Sequence, residues 1–133
     1  MKSDIDIKDD IYSHLKGSAL EKTVDGKLCK RMRPNGSDKE DIVISVLANQ
    51  NGQIQEGTVN VNIYVRDVYV CGQYEEDGIR CRELCRIAWE CLNVGRGEDY
   101  RFELDSQRVL PVEGKNEHFI NNRLLYRQNN EID

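Results

Sequence analysis

The chain has 133 residues and a formal net charge of −5, a size typical of one domain that folds without a disulfide or a metal. This charge argues against broad binding of DNA or anionic lipid, because both need clustered Lys and Arg side chains. No apolar run is long enough for a membrane-spanning helix or a secretory signal, and an odd number of cysteines, five, favours a cytosolic chain with reduced thiols. Apolar residues make up only 38% of the chain, which indicates either a thin core or a subunit that completes its burial by assembling.

The first predicted element is a short amphipathic helix over residues 5–15. Ile7, Ile11 and Leu15 recur at fourfold spacing and place one apolar stripe along the helix. We expect Gly17, with the serine that follows it, to end the helix.

Three strands follow this helix. The first, over residues 27–33, is weak because charged residues separate its apolar ones. The second, Ile42–Leu47, is a nearly continuous apolar run, which is typical of a strand covered on both faces. An Asn-Gly dipeptide at Asn51 favours a hairpin loop, so we predict that the second strand pairs antiparallel with the third, over residues 57–65.

The third strand is the most regular segment of the chain. From Val59 to Val65 every second residue is a β-branched aliphatic, which predicts one face packed on the core. Asn60, Asn62 and Tyr64 fall on the opposite face. Their amides and amphipathic ring suit contact with another protein better than catalysis.

A second helix is predicted where the apolar period changes from two to about three and a half. Asp77 is placed to cap its N-terminus, and Gly95 with Gly97 is expected to stop it. The residues of its apolar stripe are Cys81, Leu84, Cys85, Ala88, Cys91 and Leu92. Two final strands are predicted: the first begins with the alternation of residues 100–104, which residues 109–112 either extend or follow after a bulge, and the second spans residues 119–126.

These elements predict an α+β fold with a single sheet, mainly antiparallel or mixed, of about five strands packed against two helices. Their order is α-β-β-β-α-β-β. No repeat, low-complexity tract or linker divides the chain, so we expect one domain over residues 1–133. Its polar end, residues 128–133, is predicted to be a frayed tail.

The cysteines are the first candidates for chemistry. Cys81, Cys85 and Cys91 could offer thiolates to a metal, but zinc sites usually draw pairs of ligands from separate loops. Because these three share a helical stripe with Leu84, a buried apolar role is favoured. Cys71 precedes a glycine in a predicted exposed loop and is the better candidate for a reactive thiol.

Other candidate catalytic groups are few. His14 and His118 suggest no triad, and surface or cap roles are favoured for both. The triplet Glu113-Gly114-Lys115, with Asp105 upstream, has the form seen in metal-dependent nucleases, but it falls where a hairpin turn is predicted. We therefore predict no catalytic residue, cofactor or metal. A small metal-dependent nuclease-like or thiol enzyme is the alternative.

The layout of the chain resembles the small tail-completion proteins of long-tailed bacteriophages and prophages, the tail-terminator or head–tail joining group. The resemblance rests on the strands 42–47 and 57–65, the helix 79–92 and the closing strand 119–126. It implies a non-enzymatic subunit of a homo-oligomeric ring, commonly a hexamer, that terminates the tail tube and joins it to the head connector. It also implies assembly in the cytoplasm of a bacterial host, followed by a place in the virion tail.

If the chain forms such a ring, contacts with neighbours, tail-tube and head-connector proteins are expected from loops and from the exposed strand face. The segments concerned are residues 49–57 and 66–77. The predicted interface residues are Asn60, Asn62, Tyr64, Arg66, Gln53, Gln55 and Tyr74. No sequence-specific nucleic acid and no membrane is expected as a partner. A general protein-binding adaptor that uses the same face is a further alternative.

Overall fold

The computed structural model describes residues 1–129 as an α+β fold with a mixed six-stranded sheet and three helices. The elements are α1 Asp4–Leu15, α2 Ala19–Thr23, β1 Leu28–Cys29, β2 Ile42–Gln50, β3 Ile54–Arg66, β4 Val68–Val70, β5 Gln73–Glu75, α3 Gly78–Leu92, β6 Val94–Arg96, β7 Tyr100–Pro111 and β8 Glu117–Asn129. The sheet order is β1-β2-β3-β8-β7-β6, antiparallel except for the β1–β2 pair. Strands β4 and β5 form a separate hairpin.

The core lies between one face of the sheet and the helices. Val61 and Ile63 of β3 are fully buried in the same cluster as Ile7 of α1 and Leu84 of α3. The predicted alternation of β3 is therefore confirmed, and so is its antiparallel pairing with β2, in which Val61 lies opposite Ile44. The helices cover only this face of the sheet.

Side-chain caps fix where the two longer helices begin. In α1 the Ser3 hydroxyl accepts the N–H of Asp6, and the Asp6 carboxylate accepts the N–H of Ser3 in return, which satisfies two backbone donors reciprocally. In α3 the Asp77 carboxylate accepts the N–H of Arg80 at 3.0 Å. The N-cap predicted at Asp77 is thus confirmed.

The prediction of two helices was wrong in number, because the short helix α2 follows α1 with Ser18 as its N-cap. Gly17 closes α1 as predicted, with a left-handed φ of 79°, and the N–H of Ser18 donates to the carbonyl of Leu15.

The second predicted helix, α3, ends at Leu92 as predicted, but its C-cap is Asn93 and not the glycines named for the stop. Gly95 lies in β6, where a Cβ atom would come within 2.1 Å of the Phe102 ring, so this position is a glycine because of close packing.

The prediction of about five strands also differs from the structure. Strand β1 has two residues instead of the seven predicted over 27–33. Strand β2 is not covered on both faces, because Ile42 and Ile44 are buried while Val43 and Ser45 are half-exposed. The short strands β4, β5 and β6 were not predicted, since a three-residue strand has too few residues to show a period.

Strand β8 is longer than the predicted 119–126. Gln128, which was assigned to a frayed tail, pairs with Gln55 of β3 and Tyr100 of β7. The rest of the predicted tail, residues 130–133, lies outside the described residues. Of the two alternatives left open for residues 109–112, the structure shows the bulge, a register shift between Leu104 and Ser106 of β7.

Candidate functional site

The face of the sheet opposite the helices, which we call the open face, is the largest candidate surface. Its central strands carry amide, aromatic and arginine side chains, and most of them are half-buried by their neighbours on the same face. The residues of this face on β3 and β8 are Thr58, Asn60, Asn62, Tyr64, Phe119, Asn121, Arg123, Leu125 and Arg127. An uncovered sheet face of this composition resembles the core and rim of a protein interface more than a solvated surface.

Two of the predicted contact residues form an amide ladder at the centre of the open face. The Asn121 amide donates to the Asn62 carbonyl oxygen at 2.7 Å and to that of Asn60 at 3.2 Å. Beside them, the Nε of Arg123 is buried without a hydrogen-bond partner among the described residues. A buried donor without an acceptor costs stability, so this part of the open face is not fully satisfied by the described residues.

Tyr64 continues the open face toward the end of β3. Its ring stacks on Phe119 with the ring centres 5.8 Å apart, and the guanidinium of Arg33 lies over it. Arg33 is held in turn by ion pairs with Asp41 and Glu117, at 2.9 and 2.8 Å. Tyr64 is therefore a rigid, partly covered aromatic group.

Asp41 belongs to this ion-pair network at the end of the sheet. Burial acts to raise the pKa of Asp41. Hydrogen bonds from Ser37, from the N–H of Lys27 and from Arg33 outweigh that effect and hold the pKa below its usual range.

The remaining residues predicted on the loops do not share one environment. Arg66 is exposed at the end of β3 and donates to Asp25 and to the carbonyl of Asp38. Gln53 is exposed in the β2–β3 turn. Gln55 is fully buried, with its amide bonded to the backbone of Lys2 and to Asn49. It anchors the N-terminal segment and is not part of an exposed surface.

Tyr74, the last predicted contact residue, lies on the hairpin β4–β5. Its ring makes an edge contact with Tyr69 at 5.0 Å, and both rings are more than half exposed, with Val68 and Val70 exposed beside them. An isolated two-stranded hairpin is marginally stable in water. This one therefore presents an apolar surface on an element with little support of its own.

The base of the hairpin is attached to β8. Nδ1 of His118 lies 2.7 Å from a carboxylate oxygen of Asp67, before β4. Nε2 of the same ring lies 3.8 Å from Glu76, after β5. Backbone contact adds a bond from the N–H of Asp67 to the carbonyl of Asn116. His118 thus contacts the chain at both ends of the hairpin, before β4 and after β5.

The residues considered as catalytic candidates lie in different parts of the structure. Cys81 is buried in the core, and burial raises the pKa of its thiol to about 12. Cys71 is exposed at the tip of the hairpin. Nε2 of His14 donates a hydrogen bond to the carbonyl oxygen of Cys91 at 2.8 Å. His14 is a packing residue against Phe102.

The triplet Glu113-Gly114-Lys115 lies in the turn between β7 and β8. Asp105 lies at the bulge of β7, separated from the turn by six strand residues or about 20 Å, so the nuclease-like set does not converge. Within residues 1–129, no group of three or more His, Cys, Asp or Glu side chains is arranged to hold a metal ion. No helix in this part of the chain is long and apolar enough to cross a membrane.

Sequence reasoning missed one cluster on the open face. Arg96 of β6, Arg101 of β7 and Arg127 of β8 lie directly opposite one another across three strands. Arg96 and Arg101 are five residues apart on a tight hairpin, whereas Arg127 joins them only through the β7–β8 register. No protein-family model matches the chain, and no curated protein sequence is significantly similar to it. The open face and the hairpin β4–β5 are therefore the features from which a function can be inferred.

Proposed function

We propose that the protein is a non-enzymatic structural subunit of the tail of a long-tailed bacteriophage or prophage. In this proposal, copies of the chain form a ring that terminates the tail tube and joins it to the head connector. The observation that carries the proposal is the open face, with its amide ladder and stacked aromatic pair left uncovered by any helix. The assignment to a phage tail comes from the resemblance of the chain, in element order and length, to the tail-completion proteins.

The physical properties of the open face support assembly over solvation. The stacked pair of Tyr64 and Phe119 and the amides of Asn60, Asn62 and Asn121 offer apolar area and directed hydrogen bonds together. Rigid aromatic groups surrounded by polar groups are typical of residues that dominate binding energy in protein interfaces.

The chain also has more than one candidate contact surface. The hairpin β4–β5 is distinct from the open face and exposes Tyr69 and Tyr74. Two different surfaces on one subunit permit a heterologous contact, in which each copy binds its neighbour through unlike patches. Such contacts form a ring when the rotation between neighbours closes and an open filament when it does not. Partners in this proposal are further copies, tail-tube proteins and head-connector proteins, in the host cytoplasm first and in the virion tail afterwards.

Light scattering after size-exclusion chromatography, with negative-stain imaging, tests the proposal. We expect the oligomer to grow with concentration and to appear as rings. Ser45→Arg places a long charged side chain in the middle of the open face and should reduce assembly or tube binding. Ser13→Arg, the same change on the exposed side of α1, is the matched control. A chain that stays monomeric at every concentration and never binds tail tubes would contradict the proposal.

A general protein-binding adaptor is the second candidate, because the exposed tyrosines of the hairpin would serve such a role equally well. Genomic context separates the two functions. Capsid, connector and tail-tube genes beside the gene for this chain favour the ring subunit, and their absence favours the adaptor.

A further inference from the structure

The arginine row on the open face has an unusual electrostatic arrangement. Arg101 lies directly opposite Arg96 on one side and Arg127 on the other, and neighbouring strands are about 4.8 Å apart. Like charges placed directly opposite one another destabilise a sheet. Among the described residues, only Arg127 has an ion pair, a long one of 3.7 Å to Glu103. Glu56 also lies opposite Arg127 on the same face, so Arg96 and Arg101 are the least compensated part of the row and suit an anionic group from outside.

These arginines line a groove of about 390 Å³ at the β6 edge of the sheet. Its other walls on the open face are Val94, Glu103 and Leu125, and we call these six residues the arginine groove. Val94 is 69% exposed. The groove thus combines cationic and apolar walls with one carboxylate, a lining that fits an acidic and apolar peptide better than a bare phosphate backbone.

The hairpin β4–β5 has the complementary composition. Tyr69, Val70 and Tyr74 expose apolar and aromatic area, and Glu75 and Glu76 follow them. The Glu75 carboxylate has one contact, a hydrogen bond from Gln73 on its own strand. Glu76 lies 3.8 Å from Nε2 of His118, so Glu75 is the hairpin carboxylate that has no cation beside it among the described residues.

The hairpin cannot reach the groove of its own chain. It follows Arg66, which pairs with Glu117 at the start of β8, whereas Arg127 pairs with Glu56 near the other end of the same strand. Residues 117 and 127 are ten positions apart, which corresponds to about 33 Å along a strand. A contact between hairpin and groove must therefore join two copies.

We propose that the hairpin β4–β5 of one copy docks in the arginine groove of a second copy. Val68, Val70 and Glu75 share the face of the hairpin opposite Tyr69 and Tyr74, and in this contact they lie along Val94, Leu125 and the arginine row. This inference rests on the proposed assembly function and names the contact that it uses. The contact is heterologous, since hairpin and groove are unlike surfaces at opposite ends of the strands, so each copy binds one neighbour through each.

Charge reversal in matched pairs tests the contact. Arg96→Glu with Arg101→Glu, or Glu75→Arg, should weaken assembly about tenfold or more, because each leaves like charges facing one another. Combining the changes should restore most of the assembly. Loss of folding cannot produce such a rescue. Arg82→Glu, on the exposed side of α3, is the control and should leave assembly unchanged.

The exposed thiol of Cys71 at the hairpin tip provides a second test. A disulfide needs the two Cα atoms within about 7 Å. We expect Val94→Cys or Glu98→Cys, on the two sides of the arginine row, to give intermolecular cross-links with Cys71 under a mild oxidant. The same variants with Cys71→Ser should give none. Ser13→Cys is the control for random collision.

The outcomes separate this inference from the function on which it rests. Rings that form normally in every charge-reversal variant, without cross-linking, overturn the contact and leave the assembly function standing. A chain that stays monomeric in all variants overturns both. A third outcome is that the chain binds a short DNA duplex or heparin through these arginines while reversal at Glu75 leaves assembly unchanged. This result would assign the groove to a polyanion and would also overturn the contact.

Discussion

Arg33 lies over the ring of Tyr64, with its guanidinium carbon 4.1 Å from the ring centre. Two buried carboxylates, Asp41 and Glu117, hold Arg33 in this position. The ring is therefore fixed from one side by a cation and from the other by Phe119. Tyr64 is consequently a part of the monomer's own packing as well as a candidate contact residue.

The first prediction concerns Tyr64 itself. Tyr64→Ala removes the ring from Arg33 and Phe119, and we expect the free energy of unfolding to fall by about 1–2 kcal/mol. Assembly should fall too, because the aromatic pair on the open face is lost. Tyr64→Phe keeps the ring and should unfold within about 0.5 kcal/mol of the unchanged chain. Urea unfolding and light scattering measure the two effects separately. Unchanged stability in Tyr64→Ala would show that the two ring contacts contribute nothing.

The second prediction concerns acid stability. The pKa of Asp41 is lowered in the folded chain by hydrogen bonds from Ser37, Lys27 and Arg33, against the effect of burial. A depressed carboxyl pKa contributes stability that is present above the unfolded pKa, near 4, and is lost as the pH falls through the folded value. We therefore expect the urea midpoint to drop below about pH 4.

The matched variants for this prediction are Asp41→Asn and Asp9→Asn. Asp41 is buried beside Arg33, whereas Asp9 makes an exposed ion pair with Lys30. Asp41→Asn should lower stability at pH 7 and flatten the acid dependence, and Asp9→Asn should change neither by much, since exposed pairs contribute little. An acid dependence that is identical in both variants would assign the effect to other carboxylates.

How far the sequence predicts this fold depends on the length of each element. The seven alternating residues from Val59 to Val65 repeat often enough to identify β3, its buried face and its pairing with β2. Strand β6 spans only Val94–Arg96. The hairpin depends on left-handed φ angles at Cys71 and Gly72, and a cysteine in the sequence does not predict such an angle. Such elements are set by tertiary contacts rather than by local pattern.

The candidate site divides in the same way. Asn60, Asn62 and Tyr64 could be placed on one face from alternation alone. The burial of Gln55 could not, because it depends on the backbone of Lys2, which is 53 residues away in the sequence. The arginine row depends on the register of three strands that are brought together by the turns between them. Long-range pairing of this kind leaves no signal in a single sequence.

The third prediction concerns thiol reactivity. Cys71 is exposed, whereas Cys81 is 2% exposed and burial raises the pKa of its thiol to about 12. Because the thiolate is the reactive species, Cys71 should react with a disulfide reagent quickly and Cys81 only after unfolding. Cys71→Ser should remove the fast phase from the stopped-flow trace. A fast phase that survives in Cys71→Ser would come from one of the half-buried thiols, Cys29, Cys85 or Cys91, and would contradict the assignment of the fast reaction to Cys71.

The fourth prediction concerns the support of the hairpin by His118. Its ring contacts Asp67 before β4 and Glu76 after β5, while the hairpin's two strands bond only to each other. His118→Ala should therefore speed amide hydrogen exchange in residues 68–75. The core amides of β3 should exchange as before, because local opening requires less free energy than global unfolding.

His118→Gln keeps a polar side chain that can bond to Asp67 and is the matched control for this experiment. If the hairpin docks in a neighbouring copy, assembly should also slow the amide exchange of the hairpin in the unchanged chain. His118→Ala should then weaken assembly, because a less ordered hairpin loses more entropy on binding. If residues 68–75 exchange at the same rate in His118→Ala and in the unchanged chain, then the pairing of β4 with β5 orders the hairpin without help from His118.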